Sequence, residues 1–588
     1  MSNTESIKTT VEWEITDWRK LERTVFKLQK RIYQASQRGE NRTVRRLQKT
    51  LMKSKSARML AVRRVTQENQ GKKTAGVDGV SSLTPKQRMA LANQLRQLNY
   101  SYKAKPVRRV WIDKPGRTEK RPLGIPTMHD RASQALVKAA LEPEWEAKFE
   151  PNSYGFRPGR SCHDAIEAIY ASINKKPKWV LDADIAKCFD RINHEALLKK
   201  LNTSPTIRRL IKCWLKAGVI DWSGYANRKQ KKVTSQTLEG TPQGGVISPL
   251  LANIALHGLE KRLLQYIETI TLRYPNGKTM GKKDKRSSLG VVRYADDFVV
   301  LHEDIAIVQK CQQITVDWLK DMSLELKPEK TPITHTLNTT TGFNFLGFNI
   351  RQFEVGRNAS KRGYKTIITP SKEALKLQTS KIGIIIEGHK NAPKAALISR
   401  LNPVIRGWCN YYRGQSSKDT FQKADFITYK QLRGWASCRH KRHSGKSSKE
   451  WKSIDNRKWV FATQEGLFLI NHSDTKVVRH TKVEGVKSPY DGDWIYWSAR
   501  KGDYPGVKKQ LSELLKIQGG KCEYCGLYFS PDSLAEIHHK DSNHKNNKRD
   551  NLGLVHKHCH DQLHAKSRLT KADRDISIIE EWIDDHPF

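Results

Sequence analysis

The chain has 588 residues, with 107 lysines and arginines against 60 acidic residues, and its formal net charge is +47. This length predicts roughly three to five domains, and a hydrophobic content of 37% with 15 tryptophans excludes global disorder. No apolar run approaches the ~20 residues of a membrane span, and nine cysteines do not suggest a disulfide framework.

The excess of positive charge is the most informative feature of the composition. A surface of one sign repels itself unless polyanions neutralise it, so nucleic acid is the expected partner. The alternative is a merely solvated basic surface, but the cations alternate with aromatic residues and acidic motifs. The polar, acidic N-terminus is unlike a secretory signal, so we expect a cytoplasmic protein with no membrane partner.

Two basic amphipathic helices are predicted near the N-terminus. Residues 16–36 carry apolar side chains at three- and four-residue steps, with Asp17 or the preceding threonine as the N-cap. In the next stretch, Arg42, Arg45 and Arg46 lie outside the apolar line. Cations on the polar face of a helix suit a phosphate backbone, so these arginines are predicted to bind nucleic acid.

A basic strand-turn-strand pattern follows at residues 105–126, with its turn at Pro115-Gly116. Lys114 and Arg121 flank this turn, where their charges are suited to holding a triphosphate. They are predicted to bind the nucleotide.

Three carboxylates point to metal chemistry. Asp184 ends an apolar strand, and Asp296 and Asp297 lie between the two apolar arms of a predicted hairpin at residues 291–301. Adjacent carboxylates near a core edge repel each other, and a divalent cation removes this repulsion. Mg²⁺ is the expected ion, because it takes one or two carboxylates together with substrate phosphates.

Side chains alternate along a strand, so Asp296 and Asp297 point the same way only if the turn redirects one of them. Asp184 and Asp296 are therefore predicted to bind two Mg²⁺ ions, with Asp297 as a supporting catalytic residue. Two ions ~3.5–4 Å apart would activate a primer 3′-hydroxyl and stabilise the leaving pyrophosphate.

Two further residues are candidates for binding the nucleotide. Phe189 follows Asp184 by five residues, and a ring there would clash with a ribose 2′-hydroxyl and favour deoxynucleotides. Gln243 lies in a Pro-Gln-Gly-Gly turn whose glycines allow the backbone to approach a base. The structural alternatives are an ordinary core phenylalanine and a simple turn into the next helix.

The pattern becomes helical and strongly basic from residue 372 to residue 455. Tyr411 and Tyr412, within RGWCNYY, are expected to be exposed and to stack on RNA. A small connecting segment with three tryptophans follows at residues 456–508, before a tail rich in cysteine and histidine.

One set of residues in the tail has the spacing of a structural zinc site. Cys522 and Cys525 form a CxxC pair, and His556 and Cys559 repeat that spacing. Four such ligands suit a closed tetrahedral Zn²⁺, and a metal is a plausible support for so small a domain. Reactive thiols are the alternative.

The remaining histidines form a second set. His560 and His564 are four residues apart on one predicted helix face, and with His538 they are predicted to hold a divalent ion, Mg²⁺ being expected. His539 would then activate water as a catalytic base, with Asn551 orienting it through a backbone or loop contact. This arrangement resembles an HNH endonuclease of the ββα-metal type. A single composite zinc module without cleavage activity is the alternative.

Several sequence blocks resemble, in order, those of the group II intron-encoded proteins, which are reverse transcriptases and maturases. The blocks are RPLGIP, SYGFRPGRSCHDAI, DADIAKCFD, TPQGGVISPLLANI, YADDFVVL, LELKPEKT and FNFLGF, and RGWCNYYRG resembles the maturase or thumb region. The resemblance extends over nearly the whole chain.

The resemblance implies an α+β multidomain fold: a right-hand polymerase of fingers, palm and helical thumb, followed by a small HNH-type domain. The expected domains are fingers and palm at 1–355, including a basic helical extension at 1–75, thumb or maturase domain at 372–455, connecting DNA-binding module at 456–508, and HNH-type domain at 509–588.

The implied function is target-primed reverse transcription of intron RNA, assistance to intron splicing, and nicking of the target strand. Intron RNA, target DNA duplex and deoxynucleoside triphosphates are the implied partners. Two alternatives remain at this point: mainly an RNA-binding maturase with incidental polymerase activity, or a reverse transcriptase unconnected with introns.

Overall fold

The computed structural model describes residues 12–564, except for 15, 99–100, 114–115, 117–118, 222–233, 236, 238, 441–449, 455–456 and 505–506. Lys114 and part of the basic run after residue 430 therefore lie outside the described residues.

The N-terminal region is a helical layer that confirms both predicted helices. Its helices are α1 Trp18–Gln37, α2 Asn41–Lys53, α3 Lys55–Arg63, α4 Pro85–Gln94 and, after the first hairpin, α5 Met128–Glu146. Asp17 caps α1 as expected, because its carboxylate accepts a hydrogen bond of 3.0 Å from the Lys20 amide. The apolar stripes of these helices share one core, which includes the fully buried Ile32, Leu51 and Leu136.

A mixed four-stranded sheet lies beside this helical layer. Strands β1 Val107–Asp113 and β2 Lys120–Ile125 form the predicted basic hairpin, with Arg108 opposite Ile125. Strand β4 Val219–Asp221 pairs in parallel with β1, and β5 Thr234–Ser235 pairs antiparallel with β4.

The central sheet has the order β6-β7-β3-β8, and neighbouring strands are antiparallel. These strands are β3 Trp179–Asp184, β6 Gly290–Tyr294, β7 Asp297–His302 and β8 Ile333–His335. Both faces are buried: Leu181 and Phe298 join one hydrophobic core, and Val180 and Val299 join another. The buried strands therefore read as continuous apolar runs.

Helices precede, connect and follow these strands. They are α6 Cys162–Ile173, α7 Cys188–Arg191, α8 His194–Leu201, α9 Pro205–Leu215, α10 Ser248–Leu256, α11 Leu259–Thr269, α12 Lys282–Ser288 and α13 Ile305–Lys320. The basic segment at 273–290 contains α12, which has no buried residue.

A three-stranded antiparallel sheet leads into a helical bundle. Its strands are β9 Phe343–Phe345, β10 Phe348–Glu354 and β11 Tyr364–Pro370, and the bundle consists of α14 Lys372–Gly388, α15 Lys394–Tyr412 and α16 Lys418–Arg439. Phe348, Leu401 and Leu432 belong to one core, so the bundle packs against this sheet.

The expected exposure of the two tyrosines at the end of α15 is wrong. Tyr412 is only 5% exposed, and Tyr411 is half-buried, with its ring stacked on Phe348 and its hydroxyl donating to the Leu346 carbonyl at 2.9 Å. The helix turns both rings toward the sheet, where they complete the core. Neither ring is free to stack on RNA in this conformation.

The connecting segment contains a hairpin, a short 3-10 helix at His472–Asp474 and a longer α-helix. The hairpin pairs β12 Trp451–Ile454 with β13 Arg457–Phe461, and the helix is α17 Trp494–Asp503. Trp497 of this helix is 1% exposed.

The tail forms a small ββα unit, as the resemblance implied. Helix α18 Lys509–Ile517 precedes an antiparallel pair, β14 Ala535–His539 and β15 Leu552–His556, and a helical segment follows at residues 557–564. Leu514, Phe529 and Leu554 lie in a compact core with the cysteines.

This C-terminal unit contacts the first described residues of the chain. The Gln562 side chain donates to the carbonyls of Glu14 at 3.2 Å and Thr16 at 2.8 Å. Arg64, just after α3, lies 3.1 Å from the Asp532 carboxylate. Among the helices of the described residues, none has the length and apolar composition needed to cross a bilayer.

Candidate functional sites

The three predicted carboxylates lie at one edge of the central sheet. Strand β3 pairs with β7 so that Asp184 is opposite Asp297, and β6 pairs with β7 so that Tyr294 is also opposite Asp297. Ala295 has a φ of 58°, so the chain reverses in the left-handed region just before Asp296. Asp297 thus begins β7, while Asp296 occupies the turn beside it.

The electrostatics of this edge favour a bound cation. Burial raises the pKa of Asp296, and the neighbouring Asp184 carboxylate raises it further, while Lys327 and Arg121 lower it. The ammonium group of Lys327 donates to Asp184 Oδ2 at 2.6 Å. The protein therefore partly neutralises its clustered carboxylates with its own lysine. Hard oxygen ligands in this arrangement fit Mg²⁺.

The predicted nucleotide-binding residues are linked by backbone hydrogen bonds. The Thr241 amide donates to the Phe189 carbonyl at 2.5 Å, and the Gly124 amide donates to the Gln243 carbonyl at 2.5 Å. The turn that carries Gln243 thus joins α7 to strand β2, which also carries the exposed Arg121. Phe189 is half-buried, so part of its ring lies outside the core.

The first set of tail residues forms a compact cluster. One ligand atom from each of Cys522, Cys525, His556 and Cys559 lies within 4.8 Å of the others, and all four residues are buried. Hydrogen bonds from Cys525 and Cys559 hold the pKa of the Cys522 thiol well below its usual range. Three sulfurs and one imidazole, closed off from solvent, are the donor set of a structural zinc site.

The second set also converges. His538 on β14 meets His560 and His564 of the helical segment at 557–564, with one nitrogen of each within 4.8 Å of the others. The Nε2 atoms of His560 and His564 are 3.2 Å apart, and His560 Nδ1 lies 3.0 Å from the Glu536 carboxylate. Burial lowers the pKa of His538 and of His560, which favours the neutral imidazoles that bind metals.

His539 ends β14 next to this second cluster. Its Nε2 lies 3.4 Å from Asn547 Oδ1, and its Nδ1 is buried with no hydrogen-bond partner in the described part of the chain. Asn551 instead holds the loop that follows: its carbonyl accepts from the Lys540 amide at 2.9 Å, and its side-chain amide donates to the Asp541 carboxylate at 2.9 Å. The hydrogen bonds of Asn551 are therefore with the backbone and the loop that directly follow His539.

The three predicted arginines of α2 are all exposed. Arg45 donates to the carbonyl and side-chain oxygens of Asn202, both at 3.1 Å. Arg42 and Arg46 extend the same basic surface.

Four protein-family models match successive parts of the chain. They are the N-terminal domain of reverse transcriptase at residues 13–95, reverse transcriptase (RNA-dependent DNA polymerase) at 112–350, the group II intron maturase-specific domain at 375–454, and HNH endonuclease at 522–566.

Curated relatives extend this match over most of the chain. Protein YkfC of Escherichia coli is 33% identical over 323 residues, which covers 49% of this chain and 78% of that protein. The group II intron-encoded protein LtrA of Lactococcus lactis is 30% identical over 550 residues, which covers 78% of this chain and 86% of LtrA. The chain belongs to the group II intron-encoded proteins. Among solved structures, telomerase from Candida albicans in complex with a telomeric RNA fragment has a TM-score of 0.32 and 12% identity, covering 59% of this chain and 61% of that chain.

This group II intron-encoded protein is an RNA-directed DNA polymerase with maturase and HNH endonuclease domains. The polymerase fold and the C-terminal HNH domain are confirmed, and neither alternative function is favoured. The polymerase match contains the three carboxylates, and the HNH match contains both clusters that could hold a metal ion.

Sequence reasoning missed two residues of the intron-encoded protein's sites. Lys327 pairs with Asp184 from 143 residues away, and the LKPEK stretch that carries it gives no sign of that partner. Glu536 pairs with both His560 and Lys557, at 3.0 and 2.7 Å. Its position two residues before His538, on the same strand face, is the signal that would have identified it.

Proposed function

We propose that the edge of the central sheet is the polymerase active site and that Asp184 and Asp296 are its metal ligands. The observation that carries this proposal is the strand register, which sets Asp184 opposite Asp297 and leaves Asp296 in the turn beside them. Asp297 supports the site from the first position of β7.

Two Mg²⁺ ions held by these carboxylates would supply charge stabilisation at the primer hydroxyl and the triphosphate. Arg121 on the exposed hairpin would neutralise the triphosphate, and Lys114 is proposed to share this role. Phe189 would limit space at the sugar 2′ position, and Gln243 would contact the nucleotide from its turn. The Lys327 ammonium compensates the charge of Asp184 before substrate arrives.

Primer extension on an annealed RNA template tests this assignment. Asp184→Asn and Asp296→Asn each keep the side-chain shape and remove the charge, so we expect extension to fall by at least about 100-fold. Asp317→Asn is the matched control, because Asp317 is an exposed carboxylate paired with Lys320 on α13. Extension by Asp296→Asn at the rate of this control would refute the assignment.

For the tail, we propose a structural Zn²⁺ on the cluster formed by Cys522, Cys525, His556 and Cys559. We propose a catalytic divalent ion on the other cluster, formed by His538, His560 and His564. His539 is the proposed base for cleavage of a DNA strand, because it lies one residue from His538 and its Nδ1 has no hydrogen-bond partner among the described residues. Asn551 fixes the loop that follows this base.

We propose that these sites together carry out target-primed reverse transcription, and that the protein does so in the cytoplasm. The tail would nick one strand of the target DNA, and the polymerase would extend the new 3′-hydroxyl with deoxynucleotides while copying intron RNA. The predicted divisions at 1–355, 372–455, 456–508 and 509–588 are the proposed domains for these tasks, with intron RNA held by the arginines of α2.

A further inference from the structure

Residues 151–160, called the strap here, run from the catalytic hairpin to the connecting module. At one end the strap pairs with β6: the Arg293 amide donates to the Asn152 carbonyl, and the Tyr154 amide donates to the Arg293 carbonyl, both at 2.9 Å. The Arg293 guanidinium also donates to the Ser153 hydroxyl at 2.7 Å and to the Ala295 carbonyl at 3.1 Å. The strap is therefore hydrogen-bonded to β6, and the Arg293 side chain links it to the turn that holds Asp296.

The middle of the strap lies directly against that turn. A Cβ atom on Gly155 would come within 2.3 Å of the Ala295 amide nitrogen, so the two backbones are in contact. The side-chain amide of Asn253, on α10, donates to the Gly155 carbonyl at 2.8 Å and fixes this position. A shift of the strap would therefore move the catalytic turn.

Phe156 projects from the strap beside the proposed sugar-discriminating residue. Its φ of 61° is unfavourable for a bulky side chain, and strained conformations of this kind persist when the surroundings enforce them. Its ring is 48% exposed and meets Phe189 edge to face, with the centroids 6.0 Å apart. A large aromatic side chain that remains exposed beside a nucleotide site is available to a ligand.

The other end of the strap is held by the connecting module. A Cβ atom on Gly159, whose φ is +70°, would lie 2.4 Å from the buried indole of Trp497. The Tyr504 hydroxyl donates to the Gly159 carbonyl at 2.6 Å, and Arg160 donates to the Gly485 carbonyl at 3.0 Å. Residues of the connecting module thus hold the strap in place through both packing and hydrogen bonds.

A buried ionic cluster next to these contacts fixes the connecting module against α6. Asp164, in the first turn of α6, is fully buried and accepts hydrogen bonds from His480 at 3.0 Å and from the Val483 amide at 2.8 Å. It also pairs with the Arg500 guanidinium of α17. A buried charge needs these partners, so the module has one well-defined position on the polymerase.

We propose that the connecting module positions the nucleotide site through the strap, and that Phe156 is a second sugar-discriminating residue beside Phe189. The proposal rests on the proposed role of Phe189 in the polymerase site. Its ligand is the sugar of the incoming deoxynucleoside triphosphate, which the two rings enclose from adjacent sides. Trp497 and Tyr504 act as positioning residues and do not touch the substrate.

The first test replaces Phe156 with alanine and measures kcat/KM for matched deoxy- and ribonucleotides on an annealed RNA template and DNA primer. We expect relative ribonucleotide incorporation to rise about tenfold, since the vacated volume admits the extra hydroxyl. Phe189→Ala is measured in parallel. If only Phe189→Ala relaxes selectivity, this inference is overturned while the proposed polymerase site stands; if Phe189→Ala has no effect, it is the proposed role of Phe189 that fails, and this inference fails with it.

The second test uses two glycines with the same backbone requirement. Gly159→Ala brings a methyl group against Trp497, whereas Gly466→Ala in the same module has a φ of +84° and open space around it. We expect Gly159→Ala to raise the KM for deoxynucleotides about tenfold, with template–primer affinity unchanged. Gly466→Ala, which carries a similar backbone cost, should leave this KM at its wild-type value.

A second, milder pair of variants tests the same role if the Gly159→Ala protein does not fold. Tyr504→Phe removes a hydroxyl that donates to the Gly159 carbonyl and also has a hydrogen bond with Arg500 of the same module. Tyr496→Phe removes a hydroxyl that accepts from the Glu484 amide within the module. We expect the KM and the sugar selectivity to change in Tyr504→Phe alone. Equal values in both variants, at unchanged melting temperature, would overturn the positioning role.

Discussion

Asp296 lies in surroundings that oppose its own charge. Burial and the nearby Asp184 carboxylate raise its pKa, so the ionised form is less stable in the fold than in the unfolded chain. This cost is present at neutral pH and disappears as the pH falls through the raised pKa, because the carboxyl group then becomes neutral. At the proposed active site, folding stability would thus be given up for metal binding.

Asp296→Asn should therefore stabilise the metal-free protein while removing polymerase activity. We expect a gain of about 1 kcal/mol in the free energy of unfolding at neutral pH. The gain should shrink in acid, where the wild-type carboxyl is protonated too. Urea unfolding in the presence of a chelator, at neutral and acidic pH, measures both effects. A loss of stability at neutral pH would contradict the raised pKa.

The Phe189 side chain gives a second prediction, which concerns the choice between ribo- and deoxynucleotides. Phe189→Val keeps a hydrophobic side chain and opens space at the sugar, so we expect ribonucleotide incorporation relative to deoxynucleotide to rise about 10- to 100-fold. Single-nucleotide extension with matched ribo- and deoxynucleotides measures this ratio. Unchanged selectivity would leave Phe189 as an ordinary core residue.

Individual residues show where sequence reasoning ends. The spacing around Asp184 and Asp296 carried enough information to predict that they meet, because each lies at the end of an apolar strand. The burial of Tyr412 could not be read in the same way, since a basic helix gives no sign of which face packs on β10. Lys327 was missed because its contact with Asp184 depends on the tertiary fold alone.

At the scale of elements, the cysteine cluster joins two segments that the ββα unit would otherwise hold weakly. Cys522 and Cys525 precede β14, whereas His556 ends β15 and Cys559 lies in the first turn of the helical segment at 557–564. A core as small as that around Phe529 gives limited stability without a metal. Metal binding in such a unit is coupled to folding.

Cys522→Ser should therefore release zinc and unfold the tail while the polymerase stays folded. Zinc content by metal analysis and protease sensitivity of residues 509–564 are the measurements. Extension of an annealed primer should persist, since the carboxylate site has its own ligands. A variant that keeps both its zinc and its protease resistance would show that the CxxC prediction is wrong.

His539→Ala separates catalysis from folding in the same unit. Because a general base need not bind the structural metal, we expect wild-type zinc content and a loss of nicking of at least about 100-fold. Nicking of a labelled target duplex measures this loss. Nicking at the wild-type rate would mean that another residue is the base, and His538 would be the first to examine.

The positions of strands and helices along the chain were more predictable than the contacts between them. The apolar arms around Asp296 gave β6 and β7 nearly to the residue, and the periodicity after Asp17 gave α1. No local pattern indicated that the strap would join β6 to the connecting module, because that path depends on contacts such as Arg160 with Gly485. Packing between distant segments is set by shape, which hydrophobic periodicity does not encode.

For the whole molecule, the charge of +47 implies that RNA binding depends strongly on salt. Arg42→Gln with Arg46→Gln removes two exposed cations of α2, and each lost phosphate contact should reduce the slope of log K against log salt by about 0.7–0.9. Lys310→Gln with Lys320→Gln, exposed cations on α13, is the charge-matched control. Filter binding of structured intron RNA over a salt series gives the slopes. Equal slopes for the two double variants would place the RNA elsewhere.

The hydrogen bond from Gln562 to Thr16 also has a consequence for the order of events while the chain is being synthesised. Its partners lie 546 residues apart, so the ribosome supplies the acceptor long before the donor. At about 5–20 residues per second, the segment at Thr16 waits roughly half a minute to two minutes for the residue that closes on it. Throughout synthesis, the N-terminal helices are thus exposed on the side that the tail later covers, and the growing polypeptide can meet RNA before it can cut DNA.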